Sequence, residues 1–221
     1  ALKPAAADFR IFWDNAYCVH HLDMQDRDHL MNIYDALKAN GKEDMVYMYS
    51  STAKITFAGG GISAMAASPA NIDYTLKQLT VQTISYDKMN QLRHCKFFGD
   101  INGLYKHMEK HAAILKPKFQ VVLATLDQEL SELDCAEWKN PKGGYFVSVN
   151  TMEGCAKRVV QLCKEAGVVL TGAGATYPYG NDPYNSNIRI APSYPPVNEL
   201  QQAMALFCIC VKLASVEKLL A

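Results

Sequence analysis

The feature that most constrains the fold is a continuous apolar run at 44–50, DMVYMYS, which a glycine-rich turn follows at once. Such a run is typical of a strand in a parallel sheet with both faces covered. A second strand is predicted at 8–14, DFRIFWD, and a helix at 26–41, capped by Asp26 or Asp28, lies between the two. This order predicts a right-handed crossover between parallel strands of an α/β sheet.

The remainder of the chain predicts further mixed structure. A third strand is expected at 62–68, and Pro69 is expected at the first position of the next helix. The middle is helical, and Pro117 is expected to kink or divide the helix at 101–133. From residue 135 onwards the pattern becomes that of a smaller α/β unit, for which we predict a turn leading into a strand that ends near 150, a helix at 155–167, short strands at 168–174 and 187–193, and a terminal helix from 196.

Composition excludes several classes of partner. The 22 basic and 22 acidic residues cancel, which argues against binding to nucleic acid or to a membrane surface. No apolar run approaches the roughly 20 residues of a membrane span. The seven cysteines are scattered and form no CxxC pair, so we expect reduced thiols in a cytoplasmic protein. The adjacent His20 and His21 lack companion ligands, so no metal site is expected.

Four polar side chains follow the two predicted parallel strands. Asp14 ends the first strand and Ser51 the second, and Tyr17 and Lys54 each lie three residues further along. Because parallel strands present their carboxyl ends at one edge, where open α/β sheets bind ligands, the four should converge. Taken singly, each has an ordinary explanation as a turn cap, a turn residue, a packing aromatic or a solvated lysine.

Together these groups fit the chemistry of pyridoxal phosphate. That cofactor needs a lysine to bind it covalently, an anion at its pyridine nitrogen, a donor at its ring oxygen and donors for its phosphate. Lys54, Asp14, Tyr17 and Ser51 would fill these roles in that order. The glycines at 59–61 are interpreted as allowing the backbone to approach the cofactor closely.

Three motifs extend this interpretation. DNAY at 14–17 and SSTAK at 50–54 resemble the D-x-A-Y and S-x-x-K motifs of fold-type-I pyridoxal-phosphate aminotransferases. NIRIAPS at 187–193 resembles that family's arginine motif, which implies that Arg189 binds the substrate α-carboxylate. From its position alone, Arg189 could equally pair with a local carboxylate. The stretches SSTAKITFAGGG at 50–61, GATYPYGNDP at 174–183 and NIRIAPSYPP at 187–196 are similar to a divergent aspartate aminotransferase subgroup, which is grouped with the aminotransferase domains of MocR-type regulators.

The resemblance implies an architecture. It implies the C-terminal part of the family's large domain, a mostly parallel sheet with flanking helices, followed by a smaller α/β domain. The large-domain part would occupy 1–100, a connecting helix 101–134 and the small C-terminal domain 135–221. The family's N-terminal half is missing, so we expect the chain to be a piece of a longer protein.

The resemblance also implies an activity. A homodimeric enzyme would use pyridoxal phosphate to transfer an amino group from an aspartate-like amino acid to a 2-oxo acid, with Lys54 as the catalytic lysine. The alternatives are a cofactor-binding effector domain of a transcription regulator and another reaction on the same fold, such as a lyase reaction. Ile62 stands where the family has an arginine for the cofactor phosphate, so Ser51, Thr52, backbone N–H groups or residues elsewhere would have to replace it.

Overall fold

The computed structural model describes residues 3–221. Within it the chain forms two compact units, which we call unit 1 (residues 3–19 and 28–108) and unit 2 (residues 20–27 and 109–221). The division at residues 100 and 134 stays a prediction. The elements in chain order are β1 Ile11–Asp14, α1 Ile33–Lys38, β2 Val46–Ser51, β3 Ser63–Ala67, α2 Pro69–Gln82, α3 Lys88–Phe98, α4 Ile101–Leu130, β4 Ala136–Trp138, β5 Val147–Thr151, α5 Ala156–Glu165, β6 Asn187–Ile190 and α6 Val197–Leu220.

Unit 1 contains a three-stranded sheet in the order β1-β2-β3. Strands β1 and β2 are parallel neighbours, and Asp14 lies opposite Tyr49 in their register, as the predicted crossover requires. Strand β3 is antiparallel to β2, with Ser63 opposite Ser51. Both β1 and β2 therefore end at the same edge of the sheet, beside the beginning of β3.

The predicted crossover helix is much shorter than its sequence pattern. Residues 26–41 were expected to be helical, but α1 spans only Ile33–Lys38. The side chain of Asn32 accepts hydrogen bonds from the N–H groups of the first turn and starts the helix there. Asp26, expected as a cap, is bound instead to Lys142 in unit 2. Helix α1 therefore begins after Asn32, and Asp26 takes part in a tertiary ion pair and does not cap the helix.

The prediction that β2 is covered on both faces is wrong for the described part of the chain. On one face Val46 is buried with Ile33 and Leu37 of α1. On the other face Phe12 stacks on Tyr47 and Tyr49, and Phe12 is 70% exposed. The apolar run thus contributes Tyr47 and Tyr49 to an aromatic face of the sheet that is left exposed within residues 3–221.

Unit 2 contains the antiparallel sheet β4-β5-β6 and the larger core. Pro117 does not divide helix α4, which runs unbroken from Ile101 to Leu130. No strand forms at 168–174, and β4 is an additional short strand. The core contains α4 side chains packed with residues of β5, β6, α5 and α6, among them Phe119, Leu126, Val147, Val149, Val159, Ile188, Ile190, Phe207 and Val211.

All seven cysteines are free thiols, and five of them are buried. Burial raises the pKa of the thiols of Cys163 and Cys208 to about 12. A thiol with so high a pKa is a poor nucleophile at neutral pH. These two cysteines therefore act as small apolar core residues.

Candidate active site

Asp14 and Ser51 lie at the common edge that the parallel strands define. The carboxylate oxygen Oδ1 of Asp14 accepts a hydrogen bond from the N–H of Ala16 at 2.9 Å. The N–H of Asn15 donates to the carbonyl of Tyr49 at 2.7 Å, which ties the end of β1 to β2. Asp14 is thereby fixed at the rim of the sheet with its side chain exposed.

Lys54 and Tyr17 meet beside this edge. The Nζ atom of Lys54 lies 5.0 Å from the centre of the Tyr17 ring, within the range of a cation–π contact. Both side chains are exposed. The two residues belong to turns after different strands, so the contact brings the amine and the phenol together from separate parts of the chain.

Ser51 and Thr52 carry the turn that presents Lys54. Ser51 Oγ accepts from the N–H of Ala53 at 3.0 Å, so its own hydrogen can still be donated. The N–H groups of Ile55 and Thr56 both donate to the carbonyl of Thr52, at 2.9 and 3.0 Å. Lys54 is therefore carried on a single helical turn, which the burial of Ile55 anchors.

The glycine run packs against this turn. A Cβ atom on Gly61 would lie 2.7 Å from Cα of Ala53, closer than real Cβ contacts allow. A Cβ atom on Gly60 would overlap the Phe57 ring, and Gly59 has a φ of +74°. The close approach that requires Gly61 is thus to the backbone beside Lys54. The sequence had suggested an approach to a cofactor instead.

Thr52 is engaged inside the loop. Its Oγ1 accepts from the N–H of Ile62 at 2.9 Å and lies 2.9 Å from Nε2 of His94. Both the hydroxyl of Thr52 and the N–H of Ile62 are therefore occupied, although the sequence had offered Thr52 as a phosphate ligand. Sequence reasoning missed His94, because a histidine in an ordinary helical pattern carries no motif.

Arg189 lies in unit 2, on β6 opposite Ser148 of β5. Its guanidinium carbon lies 4.3 Å from the centre of the Phe146 ring. Its Nε atom is buried and has no hydrogen-bond partner among residues 3–221. In that part of the chain no carboxylate pairs with it, so the alternative of a local ion pair is not seen.

Asn187 makes hydrogen bonds on the face of the β4-β5-β6 sheet that carries Arg189. Its Nδ2 donates to Ser148 Oγ at 2.9 Å and to Asn150 Oδ1 at 2.7 Å, and its Oδ1 accepts from Thr176 at 2.6 Å. Residues two apart on a strand share a face, so Asn187 and Arg189 lie side by side. The opposite face of β6 is apolar and buried, which leaves this polar face to carry the arginine.

Asp182 holds the loop that leads into β6. Its Oδ2 accepts from the N–H groups of Ser186 and Asn187 at 2.8 Å each, and its Oδ1 accepts from the N–H of Tyr184 at 2.9 Å. Burial works to raise the pKa of Asp182, but these backbone bonds outweigh it and lower the pKa below its usual value. The loop thus enters β6 around a fixed carboxylate.

Comparisons with known proteins agree with the fold. The aspartate aminotransferase family model matches residues 1–221. An aspartate aminotransferase of Corynebacterium glutamicum is 45% identical over 217 residues, which are 98% of this chain and 50% of that protein. The structure of an aminotransferase from Corynebacterium diphtheriae is 50% identical, with a TM-score of 0.94, and the match covers 98% of this chain and 53% of the other. An aspartate transaminase structure from C. glutamicum gives 44% identity and a TM-score of 0.95, covering 99% of this chain and 51% of the other.

The chain therefore belongs to the aspartate aminotransferase family, and the α/β fold class predicted from the sequence is confirmed. It spans about half the length of the curated relatives that it matches. Within residues 3–221, no helix has both the length and the apolar character needed to cross a bilayer. No cluster of three or more His, Cys, Asp or Glu side chains in this described part could hold a metal ion.

Proposed function

We propose that this chain is part of a pyridoxal-phosphate-dependent aminotransferase, which transfers an amino group from an aspartate-like amino acid to a 2-oxo acid. The observation that carries the proposal is the contact of Lys54 with Tyr17 beside Asp14, at the carboxyl edge of the sheet. Membership of the aspartate aminotransferase family supports it.

The donor set of unit 1 fits the ring end of the cofactor. An exposed amine, a phenol and a carboxylate lie around one rim, and their chemical types match the aldehyde, the ring oxygen and the protonated ring nitrogen of pyridoxal phosphate. For the phosphate, this rim offers the hydroxyl of Ser51, whose oxygen already accepts from Ala53. The residues present therefore fit the cofactor, more fully at its ring than at its phosphate.

When bound, pyridoxal phosphate supplies an electron sink that stabilises negative charge at Cα of the amino acid. Lys54 would hold the cofactor through Nζ and, once released, would remove the proton from the substrate Cα with the same atom. Asp14 would keep the ring nitrogen protonated by facing it with a carboxylate. Tyr17 would donate its hydroxyl hydrogen to the ring oxygen, and Ser51 would donate to the phosphate.

Arg189 would bind the substrate α-carboxylate. The planar guanidinium matches a carboxylate with two parallel hydrogen bonds, and such charge-assisted pairs are the stronger kind. The Phe146 ring covers one face of the guanidinium, and a carboxylate binds at the guanidinium edge. The buried Nε has no acceptor among residues 3–221, so it can still donate a hydrogen bond to a bound carboxylate.

The activity can be tested on the intact protein supplied with pyridoxal phosphate. Aspartate and a 2-oxo acid should give the corresponding amino acid and oxaloacetate in equal amounts, and Lys54→Ala should abolish this exchange. Binding of the cofactor without turnover would favour the effector-domain alternative. Release of ammonia in place of amino transfer would favour a lyase.

The same proposal includes a cytoplasmic homodimer. The seven free thiols fit a reducing compartment. Tyr17, Tyr179 and Tyr184 lie in two aromatic segments and are 36%, 105% and 60% exposed, and exposed aromatic clusters usually mark interaction surfaces. Light scattering of the intact protein at micromolar concentration should give twice the monomer mass. A fully active monomer would refute the dimer.

A further inference from the structure

His94 of α3 is buried beneath the turn that presents Lys54. It is 4% exposed, and its Nδ1 lies 2.9 Å from the carbonyl oxygen of Asn90, one helical turn earlier. On the other side of the ring, Nε2 lies 2.9 Å from Thr52 Oγ1 and 3.3 Å from Thr56 Oγ1. The ring thus spans the space between a helix and the Lys54 turn, all within unit 1.

The hydrogen-bond partners of His94 decide which ring nitrogen carries the hydrogen. A carbonyl oxygen can only accept, so Nδ1 carries the hydrogen, and in the neutral ring Nε2 is then an acceptor. Thr52 Oγ1 already accepts from the N–H of Ile62. The other acceptor to which the Thr52 hydroxyl could donate, the carbonyl oxygen of Ile62, is more distant, at 3.4 Å. The Thr52 hydroxyl therefore donates to His94, while the Thr56 hydroxyl donates to the carbonyl of Thr52 at 3.1 Å.

The same helix holds the other arm of the loop. Asn90 Nδ2 donates to the carbonyl of Gly60 at 2.8 Å, next to the glycine that packs on Ala53. A second histidine, His107 of α4, has Nε2 2.7 Å from the carbonyl oxygen of Ile55, the residue after Lys54. After Lys54, two backbone carbonyls therefore accept hydrogen bonds from helix side chains, and before it the Thr52 side chain is bonded to His94.

We propose that His94 is a positioning residue for Lys54, acting through the Thr52 hydroxyl to fix the turn from which the lysine side chain projects. The inference rests on the proposed function only in that Lys54 is taken as the reactive lysine. His94 touches neither cofactor nor substrate in this account. Its contribution is to limit the orientations of the backbone turn at 52–56.

The first measurement uses the intact protein without cofactor. Hydrogen exchange of the amides in 52–62 should become at least about tenfold faster in His94→Leu, which corresponds to loss of about 1.4 kcal/mol of protection. Thr52→Val keeps the shape and removes the hydroxyl, so it should have at least the same effect, since the N–H of Ile62 also loses its acceptor. Thr52→Ser should retain protection. Thr125→Val is the matched control, because the hydroxyl of Thr125 donates to Val121 within α4, in unit 2.

The second measurement follows the rate at which borohydride traps pyridoxal phosphate on Lys54. His94→Leu and Thr52→Val should slow trapping, and His94→Gln, whose amide oxygen can accept from Thr52, should recover part of the rate. Unchanged exchange in a folded Thr52→Val protein would overturn the proposal. Faster exchange with an unchanged trapping rate would also overturn it, since His94 would then be only structural. If the unsubstituted protein traps nothing on Lys54, the proposed function fails, and the exchange data still decide whether His94 fixes the turn.

Discussion

The guanidinium carbon of Arg189 lies 4.3 Å from the centre of the Phe146 ring, and the buried Nε of the same side chain has no acceptor among residues 3–221. The ring and the strand hold the arginine in place without an ion pair in that part of the chain. A buried donor without a partner is costly, of the order of 1–3 kcal/mol. Such a cost is expected where a ligand completes the hydrogen bonding.

Arg189→Lys should therefore weaken substrate binding. An ammonium lacks the planar fork, and losing one charge-assisted bond costs about 1.5–3 kcal/mol, or roughly ten- to a hundredfold. Because both the amino acid and the 2-oxo acid carry the carboxylate, both KM values should rise in steady-state assays. The spectrum of the bound cofactor should stay unchanged.

The matched control for that substitution is Arg158→Lys. Arg158 pairs with Glu217 on the surface of unit 2 and should have no effect on either KM. If Arg189→Lys instead loses cofactor while both KM values stay normal, Arg189 is a structural strand residue and the substrate assignment is wrong.

Gly61→Ala should disrupt the Lys54 turn. The added Cβ would meet backbone atoms of Ala53 at 2.7 and 2.9 Å, so the loop has to move. Overpacking of this kind costs about 1–3 kcal/mol of unfolding free energy, measurable by denaturant titration. Gly172→Ala, where no atom lies within 4 Å of the added Cβ, should change stability by less than about 0.5 kcal/mol. Equal stability of the two variants would contradict the packing described here.

Asp182 should make stability depend on pH in the acid range. Its pKa is lowered in the folded state from the ordinary 3.8, so the charged form is favoured by folding. This contribution is present above pH 3.8 and is lost as the pH falls through the lower folded value. Asp182→Asn should therefore have a smaller unfolding free energy than the unsubstituted protein at neutral pH. This difference in unfolding free energy should shrink when unfolding is measured below pH 3.8. A constant difference for Asp182→Asn would exclude the linkage.

Residues 1–221 alone should bind pyridoxal phosphate poorly. Ile62 offers no cation, and the Thr52 hydroxyl and the Ile62 N–H are already bonded to each other. Of the two hydroxyls that the sequence offers to the phosphate, Ser51 is then the one that can still donate. Titration of the isolated chain, monitored by absorbance, should give a dissociation constant weaker than micromolar. Micromolar or tighter binding would show that other donors serve the phosphate.

Structural features that depend on residues close together in the sequence could be predicted, whereas features that depend on distant partners could not. The parallel pairing of β1 and β2 and the approach of Lys54 to Tyr17 follow from local strand and helix patterns combined with the right-handed crossover rule. The start of α1 was missed, because Asn32 caps the helix and Asp26, expected as the cap, pairs with Lys142, which is distant in sequence. A propensity pattern contains no information about such a partner.

The glycine run and His94 show a second limit. The sequence indicates that glycines permit close approach, but only the structure shows that Gly61 approaches Ala53. His94 has no motif and would be read as an ordinary helix residue, yet its ring lies 2.9 Å from the Thr52 hydroxyl. The placement of Lys54 near Tyr17 was predictable, the support of the turn by neighbouring helices was not, and the roles of the site residues stay predictions.

The most direct test of the account is covalent labelling of the intact protein. After incubation with pyridoxal phosphate and reduction with borohydride, peptide mapping should find the phosphopyridoxyl group on Lys54. Lys54→Ala should lose both the label and the amino transfer, whereas Lys42→Ala, a control elsewhere in unit 1, should retain both. A label on another lysine, or full turnover by Lys54→Ala, would contradict the assignment of Lys54 as the catalytic residue.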